Sequence, residues 1–357
     1  RIIKQMKDAD RDFLANQKLE EGLKLYYAKD YDGAIKFYNE ALKIKPNFDK
    51  AYNHRSVSYF YLHQYDKAFQ DCNKAIQINP KYAEAYVSRG RIYHFGFSQH
   101  DKAIQDFNKA IELNHNCYSA YNSRGFTYYI LEQYDLAIVD YNKAIGIDPN
   151  NQSAYYNLST LYKAAFKQYE LAIKYINKAI ELKPTANNYA HRAYIYGSAK
   201  NYDAAIADFN KAIELEPKND SIYRSRADFY AIDLRDYKKA ELDFTKAIEL
   251  NPKSDFNYSS RGDHYRIHLN DYNSAVKDYT SAIELNPKDK WHYLHRGNAY
   301  QKLKQYDLAL QDYNKAIELN PNFYWAYKNR GECWKELGDE MKAQADFAKA
   351  KQLGYNG

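Results

Sequence analysis

Eight prolines punctuate this 357-residue chain, Pro46, Pro80, Pro149, Pro184, Pro217, Pro252, Pro287 and Pro321, at intervals of about 34 residues once a single gap, filled by His115, is allowed. Each closes a stretch such as DYNKAIELNP, ending at Pro321, in which apolar residues recur at three- and four-residue spacing. That spacing marks an amphipathic helix, and proline ends it because it lacks an N–H and clashes with the preceding turn. A second helical stretch lies ahead of each, as in AYNSRGFTYYILEQYD from Ala120, joined by a short polar turn. The unit is therefore a helical hairpin, and the chain is read as that hairpin repeated.

Ten frames follow, starting near 15, 49, 83, 118, 152, 186, 220, 255, 290 and 324, with one extra residue between the two helices in the units from 83, 152, 220 and 255. Small residues then align. Gly22, Ser56, Gly90, Gly125, Ser159, Ala193, Ala227, Gly262, Gly297 and Gly331 share one place on the first helix. Alanines from Ala34 to Ala343 share one on the second, and a third small place runs from Ala41 to Ala350. Small side chains at the contact points let the two helices approach closely by ridge-and-groove packing.

This pattern of small residue, aromatic three places on, alanine, aromatic four places on, alanine and proline resembles the tetratricopeptide repeat family, over residues 15–357. The resemblance implies an all-α fold, an α-solenoid of antiparallel helical hairpins forming a right-handed superhelix. The aromatic content of 17%, carried largely by 40 tyrosines, is what repeated copying of one pattern produces.

One departure from the family needs an account. Where the family usually has leucine before the small residue, eight units have arginine: Arg55, Arg89, Arg124, Arg192, Arg226, Arg261, Arg296 and Arg330. The same eight units carry aspartate before the second-helix aromatic: Asp71, Asp106, Asp140, Asp208, Asp243, Asp278, Asp312 and Asp346. The two exceptions lack both, having Glu21 with Phe37 and Leu158 with Tyr175. Each arginine is expected to pair with its own unit's aspartate, which suits the planar guanidinium fork. The alternative, an arginine ladder facing an anionic ligand, gives no reason for the aspartates to vary in step.

The last unit is expected to be a polar C-terminal cap, because Lys351 and Gln344 stand where other units are mostly apolar. Residues 1–14, with Ile2, Ile3, Met6, Phe13 and Leu14, are expected to form an N-terminal lead-in helix. The chain opens on Arg1, so a leader or an upstream domain is compatible with it.

The net charge of +6, from 52 basic and 46 acidic residues, permits nucleic acid binding without arguing for it. No apolar run is long enough to span a membrane. Cys72, Cys117 and Cys333 form neither a disulfide framework nor a C-x-x-C pair, and a cytoplasmic location is expected. Phosphate-loop, H-E-x-x-H and nucleophile-elbow motifs are absent, so neither catalysis nor a cofactor is expected. His264 with His268, and His292 with His295, have helical spacings compatible with a metal, but no third ligand is in view and no metal site is expected.

The family resemblance implies a ligand lying in a concave groove lined by the first helices. Carried over, the groove residues are Asn53, His54, Ser88, Arg91, Asn122, Phe126, Tyr129, Asn157, His191, Tyr194, Arg224, Asp228, Asp263, Arg266, His295, Asn298, Lys328 and Asn329. Asparagine satisfies both N–H and C=O of an extended backbone, and aromatic rings add area at low entropic cost. The expected function is a non-catalytic protein–protein interaction scaffold or adaptor binding a peptide or protein segment. The alternatives are an RNA-binding repeat protein, against which acidic Glu84, Asp228, Asp263, Glu332 and Glu336 count, and the substrate-recruiting arm of a larger enzyme. Chaperone-binding relatives clamp a terminal carboxylate with lysine, asparagine and arginine from three successive units. Asn298 followed by Asn329 is the nearest fragment, and no three successive units here present the full set.

Overall fold

The computed structural model describes residues 8–355, and among these every regular element is helical. The chain divides into two compact units, Arg1–Pro184 and Thr185–Gly357. The first holds α1 (Asp8–Tyr27), α2 (Tyr31–Ile44), α3 (Asp49–Tyr61), α4 (Tyr65–Ile78), α5 (Ala83–Arg91), α6 (His100–Leu113), α7 (Tyr118–Ile130), α8 (Tyr134–Ile147), α9 (Gln152–Ala164) and α10 (Tyr169–Leu182). The second holds α11 (Ala186–Ser198), α12 (Tyr202–Leu215), α13 (Asp220–Ile232), α14 (Tyr237–Leu250), α15 (Asp255–His264), α16 (Tyr272–Leu285), α17 (Lys290–Lys302), α18 (Tyr306–Leu319), α19 (Tyr324–Glu336) and α20 (Glu340–Gln352). Odd and even helices pair as hairpins, the arrangement of an α-solenoid. Ile2, Ile3 and Met6 lie outside the described residues, while Phe13 and Leu14 belong to α1, which runs unbroken into the first hairpin. Gln344 and Lys351 are exposed on α20.

Proline works one step later than as a helix breaker. It directly follows the C-cap: Asn79 caps α4 ahead of Pro80, and Lys183 caps α10 ahead of Pro184. The C-cap backbone is already extended there (φ −134° at Asn79, −151° at Lys183), as the ring of a following proline demands.

The turn inside each hairpin follows one rule. A residue with positive φ, from Lys29 (63°) to Lys304 (59°), ends the first helix, and only in the last hairpin is it glycine, Gly338. The next amide then closes the turn on a carbonyl five residues back, as Gln64 N–H does to Tyr59 and Gln305 N–H to Tyr300. In the four hairpins with an extra residue the closure widens to six, from Gln99 to Tyr93, Gln168 to Tyr162, Asp236 to Tyr230 and Asp271 to Tyr265. Two of these form a π-helical turn, at Ile92–Gly96 and Tyr265–Leu269. One inserted residue is thus absorbed without shifting the next helix out of phase.

Each core is built where the first-helix small residue meets a second-helix side chain. A Cβ on Gly297 would sit 2.7 Å from the Tyr313 ring, and one on Gly262 2.9 Å from Tyr279. Ser56 instead hydrogen-bonds Ala68 O at 2.8 Å and contacts Cys72.

The arginines close these hairpins. In all eight units Nε and Nη2 donate to the two carboxylate oxygens of the expected aspartate, for example Arg124 to Asp140 at 2.7 Å for both bonds. The carboxylates are buried, Asp140 being 3% exposed. Nη1 turns to the preceding hairpin's second helix: Arg89 to Asn73 (2.8 Å), Arg330 to Asn314 (2.6 Å), Arg296 to Thr280 (3.1 Å). Each guanidinium also lies over a tyrosine one turn away, as Arg124 does over Tyr121 at 5.5 Å. The arginines are structural clamps, not a ligand ladder. In the repeat without the pair, Leu158 is fully buried and Tyr175 stacks on Tyr162 at 5.5 Å.

Candidate functional site

In the first unit the structure gathers Asn122, Phe126 and Asn157 with Arg91 around one pocket of about 210 Å³. Asn157 Nδ2 donates to Asn122 Oδ1 at 3.1 Å across adjacent repeats, leaving Asn122 Nδ2 and Asn157 Oδ1 without partners among the described residues. Arg91 is exposed, and no carboxylate pairs with it among the described residues. Ser88, half-buried, lies one turn before it on α5, and Tyr129 packs beside Phe126 at 6.3 Å.

One expected groove residue goes elsewhere. Asn53 is 4% exposed and reaches Tyr82 OH at 3.4 Å, so it sits at a repeat junction and presents nothing to an open face. His54 lies against the Tyr38 ring at 6.1 Å, and burial lowers its pKa.

Two residues the sequence reading passed over complete this pocket. Phe95, 50% exposed, stacks on Phe126 at 5.6 Å. His94 is buried beneath them, its Nδ1 3.1 Å from Thr127 Oγ1 and 3.2 Å from His100 Nδ1. Burial, with His100 alongside, pulls the His94 pKa down to about 4. Both sit in the π-helical turn, so the extra residue of this repeat was the available signal.

In the second unit Asn329 Nδ2 donates to Asn298 Oδ1 at 2.7 Å, repeating the amide pair, and Tyr313 OH holds the same oxygen at 2.9 Å. Both line a cleft of about 900 Å³ with Arg266, Gln301, Lys302, Lys328 and Lys335. Basic and acidic side chains thus share the cleft, Glu332 and Glu336 among them. Glu332 ties up Lys328 at 2.7 Å.

The remaining expected residues are largely committed to one another. Asp263 accepts from Arg266 Nη2 and Tyr279 OH, each at 2.7 Å, and Arg266 Nε donates to Tyr279 OH at 3.0 Å. His295 lies between Trp291 and Tyr279, 5.8 and 5.9 Å away, its pKa lowered by burial. Arg224 Nη1 donates to Asn257 at 3.3 Å and its guanidinium covers Phe256. Asp228 is half-buried, and desolvation raises its pKa to about 6. Tyr194 meets Phe209 edge-on at 5.4 Å, and His191 is half-buried.

The two histidine pairs do not converge on a shared point. His264 Nε2 lies 3.1 Å from Tyr237 O, and His268 stacks on Tyr237. His292 Nε2 lies 3.0 Å from Asp255 Oδ2, with Asp289 3.9 Å away, so these three groups are close enough to hold a cation. The same register one repeat earlier explains the contact: Asn257 Nδ2 donates to Asp220 at 2.8 Å. A neutral amide does what His292 does, so this is a hydrogen-bonded staple between repeats.

Family models of the tetratricopeptide repeat match residues 50–82, 118–151, 186–219 and 292–323, and 25–48, 83–117, 152–185 and 222–254, with further repeat models over 262–304 and 312–345. The chain belongs to the tetratricopeptide repeat family. The tetratricopeptide array is similar in fold to yeast Tom70, at 18% identity and TM-score 0.55, over 97% of this chain and 93% of that one. It is also similar to a tetratricopeptide repeat protein from Parabacteroides merdae (18%, TM-score 0.54, 70% and 98% covered) and to PilW, a type IV pilus biogenesis factor (22%, 0.50, 57% and 94%). No curated protein sequence matches the array. Among the described residues no helix is long and apolar enough to cross a membrane.

Proposed function

We propose that this tetratricopeptide array is a non-catalytic interaction scaffold that holds an extended segment of a partner protein across the first helices of each unit. Membership of the family supports an interaction scaffold in general. The observation that carries the finer reading is the amide pair, found in both units among the described residues. Asn122 with Asn157, and Asn298 with Asn329, each bond once to each other, and among the described residues each pair keeps an amide donor and a carbonyl acceptor unused. An extended backbone offers the complementary C=O and N–H irrespective of its side chains. The polar groups are thereby preorganised, which lowers the ordering cost of binding.

The test is retention from host lysate on the immobilised array, with and without nuclease, against a Phe126→Ala, Tyr129→Ala, Asn157→Ala variant. Proteins retained by the natural chain and lost from the variant are the expected result. Retention indifferent to the variant removes the reading. A second reading, single-stranded RNA, draws on a run of rings from Phe60 through Phe95, Phe126, Tyr129 and Tyr134 to Phe166, with neighbours 5.6–6.3 Å apart. Nuclease-sensitive retention would favour it.

A further inference from the structure

The first-unit pocket carries a more specific message, which rests on the scaffold reading above. Its floor is aromatic, the stacked Phe95 and Phe126, with half of Phe95 open to solvent. Its rim holds Arg91. Every arginine at the hairpin-closing place is neutralised by a buried aspartate, whereas Arg91 has no ion pair among the described residues and lines the same pocket as an exposed ring.

An unpaired arginine beside an open aromatic platform is complementary to a carboxylate beside an apolar side chain. The cavity of about 210 Å³ lies below the size that takes a whole small-molecule ligand and suits the one aromatic side chain of a segment whose carboxylate and backbone stay at the rim. Arg91 and Phe95 stand about one helical turn apart, roughly 6 Å. Along an extended chain, side chains two residues apart share a face at about 6.6–6.8 Å. The Asn122 and Asn157 amides line the same pocket.

We propose that this pocket is the specificity anchor of the first unit, taking an extended partner segment in which an aromatic residue and a glutamate or aspartate stand two places apart. The ring stacks on Phe95 and Phe126, the carboxylate takes Arg91, and the intervening peptide group bonds the amide pair. The π-helical turn is what makes the site. Gly96, the last residue of that turn, leaves no room for a Cβ, which would meet the Tyr65 ring at 2.8 Å, and the turn so seated carries Phe95 outward while His94 stays beneath. A nucleotide strand fits less well, since it brings one phosphate per base and among the described residues Arg91 is the one cation lining the pocket, His94 being held neutral by burial.

The test is selection of a displayed random-peptide library on the full chain, on Arg91→Glu and on Phe95→Ala. Both residues are solvent-exposed, and circular dichroism verifies that the variants fold. The natural chain is expected to enrich an aromatic residue two places from an acid. Arg91→Glu should enrich lysine or arginine at the acid's place, and Phe95→Ala should lose the aromatic. A labelled peptide made from the enriched sequence should bind Arg91→Glu about tenfold more weakly than the natural chain. Enrichment without that spacing, or selection unchanged by Arg91→Glu, overturns the anchor. If the peptides so enriched still lose affinity for an Asn122→Ala, Asn157→Ala variant, the scaffold reading stands without the anchor; if no peptide is enriched on any form, both fall. A single-stranded RNA oligomer that binds as tightly as the selected peptide and competes with it also overturns the proposal.

Discussion

Replacing Arg124 with alanine isolates the interaction that distinguishes this array from its family. The substitution removes two bonds of 2.7 Å to Asp140 and leaves that carboxylate 3% exposed with no counter-charge. It also frees Asn108 on the preceding hairpin and uncovers Tyr121. Breaking a buried pair by removing one partner costs about 3–5 kcal/mol, most of it the uncompensated charge. Because contacts in an array of repeats run between neighbours, the loss should concentrate in α7, α8 and the hairpins beside them. Native-state hydrogen exchange reads this repeat by repeat, where a single global unfolding energy does not describe a long array. Arg124→Lys keeps the charge but not the fork and should recover only part of the loss. Arg124→Leu with Asp140→Leu should recover most of it, since the repeat holding Leu158 and Tyr175 already dispenses with the pair. Protection in α7 and α8 that falls by less than about 1 kcal/mol in Arg124→Ala, the range of exposed pairs, would refute the clamp.

Gly297→Ala drives a methyl against a fully buried Tyr313 whose hydroxyl is held by Asn298 and Gln301, so a loss of about 1–3 kcal/mol is expected in thermal unfolding. Lys304→Gly relieves a left-handed backbone at φ 59°; the gain of about 1–2 kcal/mol, less about 0.5–1 for glycine's chain entropy, should leave the protein about 0–1.5 kcal/mol more stable. His94 titrates in the unfolded chain near 6.5 and in the fold near 4, so its contribution is complete above about pH 6.5 and is lost as pH falls toward about 4, by roughly 3 kcal/mol in all. Urea midpoints across that range should fall less steeply in His94→Gln. His292→Asn should keep the staple to Asp255, whereas His292→Ala should lose about 1–3 kcal/mol; a melting temperature raised by added zinc in the natural chain, and not in His292→Asn, would instead establish a cation site.

The hairpin, its count and its closing arginines were legible in the sequence because each is set by neighbours about 34 residues or fewer apart and is copied in phase. The correlated loss of arginine and aspartate at Leu158 and Tyr175 named a contact between two helices before any coordinates. Neighbouring environment decided the rest. One inserted residue reads alike in four hairpins, yet it becomes a π-helical turn at Ile92–Gly96 and at Tyr265–Leu269 and a looser turn after Ala164 and Ile232. Equal register likewise places Asn53 in a junction and Asn122 in a pocket, because what packs against the next repeat decides which amides are left for a ligand. Spacing along one chain fixes the face of a helix; the partners that consume or spare a polar group come from the two hairpins on either side, and only the tertiary structure brings those together.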